Sequence, residues 1–440
     1  MLDTHKASLS TTPWGEASEL RQRQLRPGPG NARADVARNQ LERLYGATVA
    51  TVAEHGYEST RVADILRVAG VSRSAFYRHF DNKLECFLAT LDALSGLAAA
   101  PMAANYGDDD SRPWHARVES VFEALAQLLL AHPAAARVWL VEIYAAGPEA
   151  IDRMERLSDR LEVFAIEAIG ETPDHPGLPP EAVRGVLGGL RQIVHSRLRD
   201  GREQELPELV PDLAEWALSY GAPPARLRKP RKPPLLPAPT PDSNEQRRRI
   251  VDTVIGLVVE QGYQEMTITE ISQRASVSLT TFYNHFDTKQ DAFLAAVDET
   301  ERQVVEVTLP VYRRAPDWRH AVRDVIHAFF AFNATNPAMS RLGGLQVFSG
   351  GAPGFDRHEA ATTRFGSVLL VGYRERPDVS PIVGEAIGGA LAALVYQQIR
   401  RRGPEHLYEL AGVATYLALT PFVGADAAAE LANEGWQPEP

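Results

Sequence analysis

HGYESTRVADILRVAGVSRSAFYRHFDNKLECFLA, residues 55–89, returns as QGYQEMTITEISQRASVSLTTFYNHFDTKQDAFLA, residues 261–295. The offset is 206 positions throughout, with no gap, and Gly56, Tyr57, Ile65, Ala69, Val71, Ser72, Phe76, Tyr77, His79, Phe80, Asp81, Lys83 and Phe87 all recur. A repeat of this period divides the 440 residues into two copies of one unit. That explains the length better than three unrelated domains of ~150 residues.

Working outward from the repeat, Leu41, Leu44, Tyr45, Thr48, Val49 and Val52 fall at helical spacing and stop before Gly56. Ile250, Val251, Val254, Ile255 and Val258 form the matching face in the second copy. A short helix with Val62, Ile65 and Ala69 inward follows. Gly70-Val71-Ser72 then reads as a tight turn, in which glycine accepts a positive φ and Ser72 caps the next helix. That helix is RSAFYRHF. Phe76 and Phe80, four apart, anchor it to the core and turn Arg73, Ser74, Tyr77 and Arg78 outward. Asp81 reads as the N-cap of the helix that Lys83 begins.

Two short helices joined by a tight turn, the second apolar inside and polar outside, make a helix-turn-helix. Such a helix fits the major groove of duplex DNA, where each base pair shows a distinct pattern of donors and acceptors. Arg73, Ser74 and Arg78 are placed to read that pattern; Tyr77, His79 and Lys83 are types that hold phosphates.

Both VSRSAFYRHFDNKLECF and VSLTTFYNHFDTKQDAF resemble the signature of the TetR family of bacterial transcriptional regulators: a turn serine, an aromatic-Tyr-x-His-Phe run, and a lysine three beyond Phe80 or Phe286. The resemblance implies an all-α fold of two units. Each unit has a three-helix DNA-binding head and a helical body for ligand binding and dimerisation. It carries the first-head set Arg61, Ser72, Arg73, Ser74, Tyr77, Arg78, His79 and Lys83. It carries the second-head set Thr267, Ser278, Thr280, Thr281, Tyr283, Asn284, His285 and Lys289. The copies also depart from the pattern. The threonine that usually opens the second helix is Thr267 in one and Arg61 in the other; the turn glycine is Gly70 in one and Ser276 in the other. Leu279 and Asn284 stand where the first copy has Arg73 and Arg78, so the second head is expected to read different bases, and more weakly.

The expected boundaries are a disordered arm over 1–34, heads over 35–92 and 243–298, bodies over 93–221 and 299–421, a proline-rich basic linker over 222–242 and a weakly ordered tail over 422–440. Residues 251–295 carry a charge balance of -4, whereas 222–250 carry +6. Arg228, Lys229, Arg231 and Lys232 in the linker are therefore candidates for phosphate contacts beside an acidic second head, against the plainer reading of a soluble charged linker.

In the bodies, RGVLGGLRQIVHSRLRD and GGALAALVYQQIRRRG correspond in position, and small residues such as Gly185, Gly188, Gly189, Gly388, Gly389 and Ala393 suit close helix approach. The family's paired final helices imply a pseudo-dimer within one chain; pairing of two chains is left open. The second body is the more aromatic. A small hydrophobic effector is expected there, near Phe329, Phe330, Phe348, Phe365 and Tyr396, with Trp139 and Phe164 as candidates in the first body. Taken singly, each of these aromatics is more often plain core.

Composition narrows the remaining classes. Hydrophobic residues make up 44%, charged residues 23%, and the net charge is -11, which argues against a chain that coats nucleic acid indiscriminately. One cysteine, Cys86, leaves no disulfide or cysteine-zinc framework and reads as packing, its counterpart being Ala292. No nucleotide-binding loop, HExxH or nucleophile elbow is found, so neither an enzyme nor a metal or other cofactor is expected. Without a signal peptide or an apolar run long enough to span a bilayer, a cytoplasmic protein partnered by double-stranded DNA and not by membrane is expected. The rival reading is a ligand sensor with one working head, the second serving as a structural or protein-docking module.

Overall fold

The structure, a computed structural model, describes residues 10–25, 32–106, 112–170, 177–241 and 243–437. Apart from one two-stranded hairpin, β1 (Thr11–Thr12) and β2 (Gly15–Glu16), the regular elements are helices. The first copy runs α1 (Arg33–His55), α2 (Val62–Ala69), α3 (Arg73–Phe76), α4 (Lys83–Tyr106), α5 (Trp114–Ala131), α6 (Pro133–Leu140), α7 (Pro148–Gly170), α8 (Pro180–Arg199) and α9 (Leu206–Leu218). The second runs α10 (Glu245–Gln261), α11 (Ile268–Arg274), α12 (Leu279–Tyr283), α13 (Lys289–Arg314), α14 (Trp318–Thr335), α15 (Pro337–Gly344), α16 (Ala352–Ser367), α17 (Leu370–Glu375), α18 (Ile382–Arg402), α19 (Ala411–Val423) and α20 (Ala425–Asn433). The all-α expectation holds.

The chain divides into two compact units, Met1–Leu161 with Val194–Ala214, and Glu162–Ile193 with Glu215–Pro440. The division does not follow the repeat boundary. Parts of α7, α8 and α9 cluster with the second copy.

In the first unit, α1 and α2 enclose a core of Leu44, Ala47, Ile65 and Ala69, closed by Phe76 and Phe80. The arm expected to be disordered is folded where it is described. Leu20 is buried in this same core, and the Trp14 ring lies 5.4 Å from Tyr45. The mostly polar composition of the arm concealed two well-spaced anchors. Residues 1–9 and 26–31 lie outside the described residues. The tail expected to be weakly ordered forms the end of α19 and all of α20, with Ala428, Ala429 and Trp436 buried. Small residues there allow close packing that hydrophobicity alone does not signal.

In the second unit, residues 185–192 of α8 pack against α18. The two helices pass so close at Gly189 and Gly389 that a Cβ on Gly389 would sit 3.2 Å from the Gly189 Cα and 2.5 Å from the Gln192 Cβ. A Cβ on Gly188 would collide with that of Ala393. Around this crossing, the Tyr220 hydroxyl donates to the Leu417 carbonyl (2.9 Å) and the Tyr416 hydroxyl to that of Gly221 (2.7 Å). Buried Glu162 on α7 accepts from Arg184 of α8 and from Arg401 of α18 (3.1 Å). Burial alone would raise its pKa, but the two guanidiniums outweigh it and hold the carboxylate below its usual range. α18 is long and apolar enough by composition to cross a membrane, contrary to the expectation that no such run exists; 89% of that stretch is buried inside the fold.

Two stability tests follow from this packing. Gly188→Ala should destabilise by about 1–3 kcal/mol through overpacking, and Ala393→Gly should recover part of that loss in the double variant, as read by chemical denaturation. At the two turns, Gly70 has φ 61° and Ser276 φ 52°. Ser276→Gly should raise stability by about 0.5–1 kcal/mol, the left-handed penalty less the chain entropy of glycine. Gly70→Ser should lose more than that, because a Cβ there would meet the Arg21 Cγ at 2.5 Å.

Candidate nucleic-acid interface

The helix after each turn is short: four residues in α3 and five in α12. The longer helix expected over RSAFYRHF gives way after Phe76 to a turn, closed by the His79 amide on the Phe76 carbonyl (2.8 Å). Tight aromatic packing replaces helical length. Phe76 and Phe80 lie 5.6 Å apart at ring centres, Phe282 and Phe286 5.8 Å, and all four are buried. Ser72 and Ser278 cap the helices as expected, each Oγ accepting an amide hydrogen, from Ala75 (3.2 Å) and from Thr281 (2.9 Å).

With the aromatics inward, the opposite face is open. Ser72, Arg73, Ser74, Tyr77 and Arg78 are exposed in the first head, and the Arg73 guanidinium stands 5.7 Å over the Tyr77 ring. Ser278, Thr280, Tyr283 and Asn284 are exposed in the second, with Thr281 half-buried. Arg61 and Thr267 are exposed at the helix starts. The Asp64 carboxylate accepts the Arg61 amide (3.1 Å), and the Thr267 hydroxyl accepts the Glu270 amide (3.2 Å).

The lysines sit differently from what their chemistry suggested. Lys83 Nζ donates to the carbonyls of Tyr57 (2.7 Å) and Thr60 (3.0 Å) and lies 4.1 Å from the Tyr57 ring centre. Lys289 repeats the arrangement on Tyr263 and Gln264 (3.1 Å each). Each ammonium thus ties the start of a long helix to the loop before the helix-turn-helix. Burial lowers the Lys83 pKa. The cap before it is Asn82 and not Asp81, since the Asn82 Oδ1 accepts the Glu85 amide (2.9 Å) while the Asp81 amide donates to Glu85. His79 is half-buried, 3.3 Å from Gln40, and His285 is likewise half-buried. Burial, and then the Arg78 charge, lower the pKa of His79.

Sequence reasoning missed Arg43. It is buried, and its guanidinium donates to the Ala69 (2.7 Å) and Gly70 (3.3 Å) carbonyls, closing the turn from beneath. An arginine on the apolar face of α1 was the available signal.

The linker lies against the second unit. The Arg228 amide donates to Asn433 (2.7 Å), Lys229 pairs with Glu181 (2.6 Å), Leu227 is buried, and Thr240 bonds Glu306 through its amide (2.9 Å) and hydroxyl (2.5 Å). Arg231 and Lys232 are exposed. Reading the linker as a soluble or phosphate-binding basic stretch left out these partners because they are distant in sequence; residue 242 lies outside the described residues.

Of the aromatics expected around a ligand, Phe348 and Tyr396 come together at 6.4 Å, joined by Phe355 (5.0 Å from Phe348) and His358 (4.8 Å). Phe330 is fully buried, edge-on to half-buried Phe329, and Phe365 is half-buried. Trp139 packs on the first-unit core, whereas Phe164 is 51% exposed. A separate open cleft of about 390 Å³ is lined by Thr240, Pro241, Arg247, Ala295, Asp298, Glu299 and Arg302; it shares no residue with the expected pocket, and its lining is mainly charged where that pocket was expected to be aromatic. Burial pushes the Cys86 thiol up to about 12, consistent with packing. Among the described residues, no three His, Cys, Asp or Glu side chains cluster as a metal site would require.

The repeated stretches have known counterparts. The profile of the bacterial regulatory proteins of the tetR family matches residues 44–90 and 250–296. The HTH-type transcriptional activator FasR of Mycolicibacterium smegmatis (strain ATCC 700084 / mc(2)155) is 29% identical over 89 residues, 20% of this chain and 41% of FasR. The HTH-type transcriptional regulator CymR of Pseudomonas putida is 41% identical over 61 residues, 14% of this chain and 30% of CymR. The chain therefore aligns with less than half the length of either relative. Among solved structures, the fatty acid degradation regulator FadR from Bacillus halodurans is similar at a TM-score of 0.38 and 16% identity, covering 42% of this chain and 97% of that one. FadR from Bacillus subtilis in complex with stearoyl-CoA gives 0.36 and 15%, covering 40% and 97%. The chain carries two TetR-type helix-turn-helix domains in tandem.

Two measurements check the roles of polar groups that bond within the fold. Lys83→Met should lower the melting temperature while leaving the salt dependence of DNA binding unchanged, because its ammonium serves carbonyls; a slope reduced by about one would restore the phosphate role. Buried His327, with Nδ1 3.1 Å from the Tyr408 hydroxyl, has its pKa pushed by burial down to about 4 from 6.5. The unfolded chain takes up a proton that the fold refuses, so stability is full above pH 6.5 and falls as pH drops toward 4. Denaturation at a series of pH values should show this loss, up to about 3 kcal/mol from His327, and His327→Phe should remove that share while leaving the part due to His358, whose pKa burial also pushes down to about 4.

Proposed function

We propose that the chain is a sequence-specific DNA-binding transcriptional regulator whose two unlike heads read an asymmetric operator. The observation that carries this reading is the pair of aromatic-anchored helices, each turning a different set of side chains outward: Arg73, Ser74 and Arg78 on one, Leu279, Thr280 and Asn284 on the other. Arginine is suited to the paired acceptors of guanine, and asparagine to adenine. Ser72, Tyr77, Arg61, Ser278, Tyr283 and Thr267 supply phosphate contacts, with Thr281 beside them and His79 and His285 at the margin.

The two bodies serve as both halves of a dimer, so that one chain presents two heads. The packing of α8 residues on α18 within one unit favours this arrangement, since it pairs helices from the two copies through glycine. Half-sites are then expected about one helical turn, 34–36 Å, apart. A small hydrophobic effector bound near Phe348 and Tyr396 favours a spacing of the heads that no longer fits the operator, which makes the regulator a repressor. Coupling of about 1–3 kcal/mol suffices for release.

Selecting bound duplexes from genomic fragments and footprinting them tests the reading. Two protected major-groove patches of different sequence are expected; one patch would favour the rival, in which the second head is a structural or docking module. Arg73→Ala should relax preference at one base position, in one half-site only, by about 1–3 kcal/mol. Equal loss of discrimination in both half-sites would overturn the two-reader arrangement.

A further inference from the structure

We infer that Leu279 is a specificity-determining residue of the second head and that it recognises the 5-methyl group of a thymine. The inference rests on the DNA-reading function proposed above and assigns the base chemistry of its second half.

Leu279 is the first residue of α12, directly after the Ser278 cap, and it is 48% exposed. Four residues on, one helical turn away, Tyr283 is 53% exposed, so the two side chains form one outward ridge beside buried Phe282. The first head builds the same ridge from Arg73 and Tyr77, where the guanidinium stands 5.7 Å over the ring. One position at the tip of the reading helix is thus filled by a cation in one head and by a branched hydrocarbon in the other.

A single exposed leucine on a protein surface needs no explanation by itself. This one stands at the leading end of the helix that enters the groove, among Thr280 and Asn284, which are exposed and polar. Leucine offers no hydrogen bond and cannot read the donors or acceptors of a base edge. In the major groove the one apolar group a base presents is the thymine methyl. Contact between the two removes apolar surface from water on both sides, and burying a single methyl group corresponds to about a fourfold change in affinity. The substitution from arginine to leucine therefore changes what the head reads, from paired acceptors to a methyl group, and does not merely weaken it.

Replacing thymines one at a time by deoxyuridine tests this, because uracil keeps every hydrogen-bonding group and lacks only the methyl. The probe is a duplex selected by the full-length protein, with its half-sites assigned by the effect of Arg73→Ala. One thymine in the half-site not affected by Arg73→Ala should lose about fourfold in affinity on replacement. Leu279→Ala should bind the thymine duplex about as weakly as the wild type binds the uracil one, and should not distinguish the two. Thermal melting of Leu279→Ala should match the wild type, since the side chain is exposed. Two protected half-sites with a flat uracil scan, or a loss that persists in Leu279→Ala, would falsify the assignment and leave the regulator reading intact. Protection of one half-site alone overturns the assignment and supports the rival with a silent second head. Failure to select any duplex overturns both.

Discussion

A helix of four or five residues cannot hold its own direction. It closes too few hydrogen bonds to offset the entropy of ordering its backbone, so something outside it must set where it points. In both heads that constraint is a pair of phenylalanines four residues apart, Phe76 with Phe80 and Phe282 with Phe286, buried in a core built by the two preceding helices. Serine caps at the front and the lysine clamp behind complete the frame. Arg73, Arg78, Leu279 and Asn284 carry none of this load, so these outward positions can differ without disturbing the frame.

That separation explains how the copies diverge. Most of the shared residues are those of the frame, namely the loop tyrosine, the serine caps, the paired phenylalanines and the lysine, while Tyr77 and Tyr283 recur on the open face. The differing residues, Arg73 against Leu279 and Arg78 against Asn284, stand on the open face. The turn differs too, and for a packing reason. Gly70 is overlaid by Arg21 from the folded N-terminal segment, which leaves no room for a side chain, whereas Ser276 keeps the same left-handed backbone despite its Cβ.

The bodies are held by the opposite kind of residue. Where the heads use large rings to fix a short helix, α8 and α18 use the absence of side chains to bring two long helices together, with the Glu162, Arg184 and Arg401 network beside the crossing. A buried carboxylate shared by two guanidiniums is costly to strip of them because its charge would be left uncompensated in the interior, so it fixes which helices meet.

The sequence by itself determined the duplication, the all-α class, the inward aromatics and which side chains of the short helices face outward. Each is local: a repeat, a helical period or a cap is written within a few consecutive positions. Only the tertiary structure decided that Lys83 and Lys289 grip carbonyls 23–26 residues away, that Arg43 closes a turn 26 residues on, that Trp14 and Leu20 anchor a segment of polar composition, and that the linker lies against α13 and the C-terminal helices. A charged side chain carries the same chemistry whether it faces a phosphate or a carbonyl, and its neighbours are chosen by packing between distant segments, which no local pattern encodes.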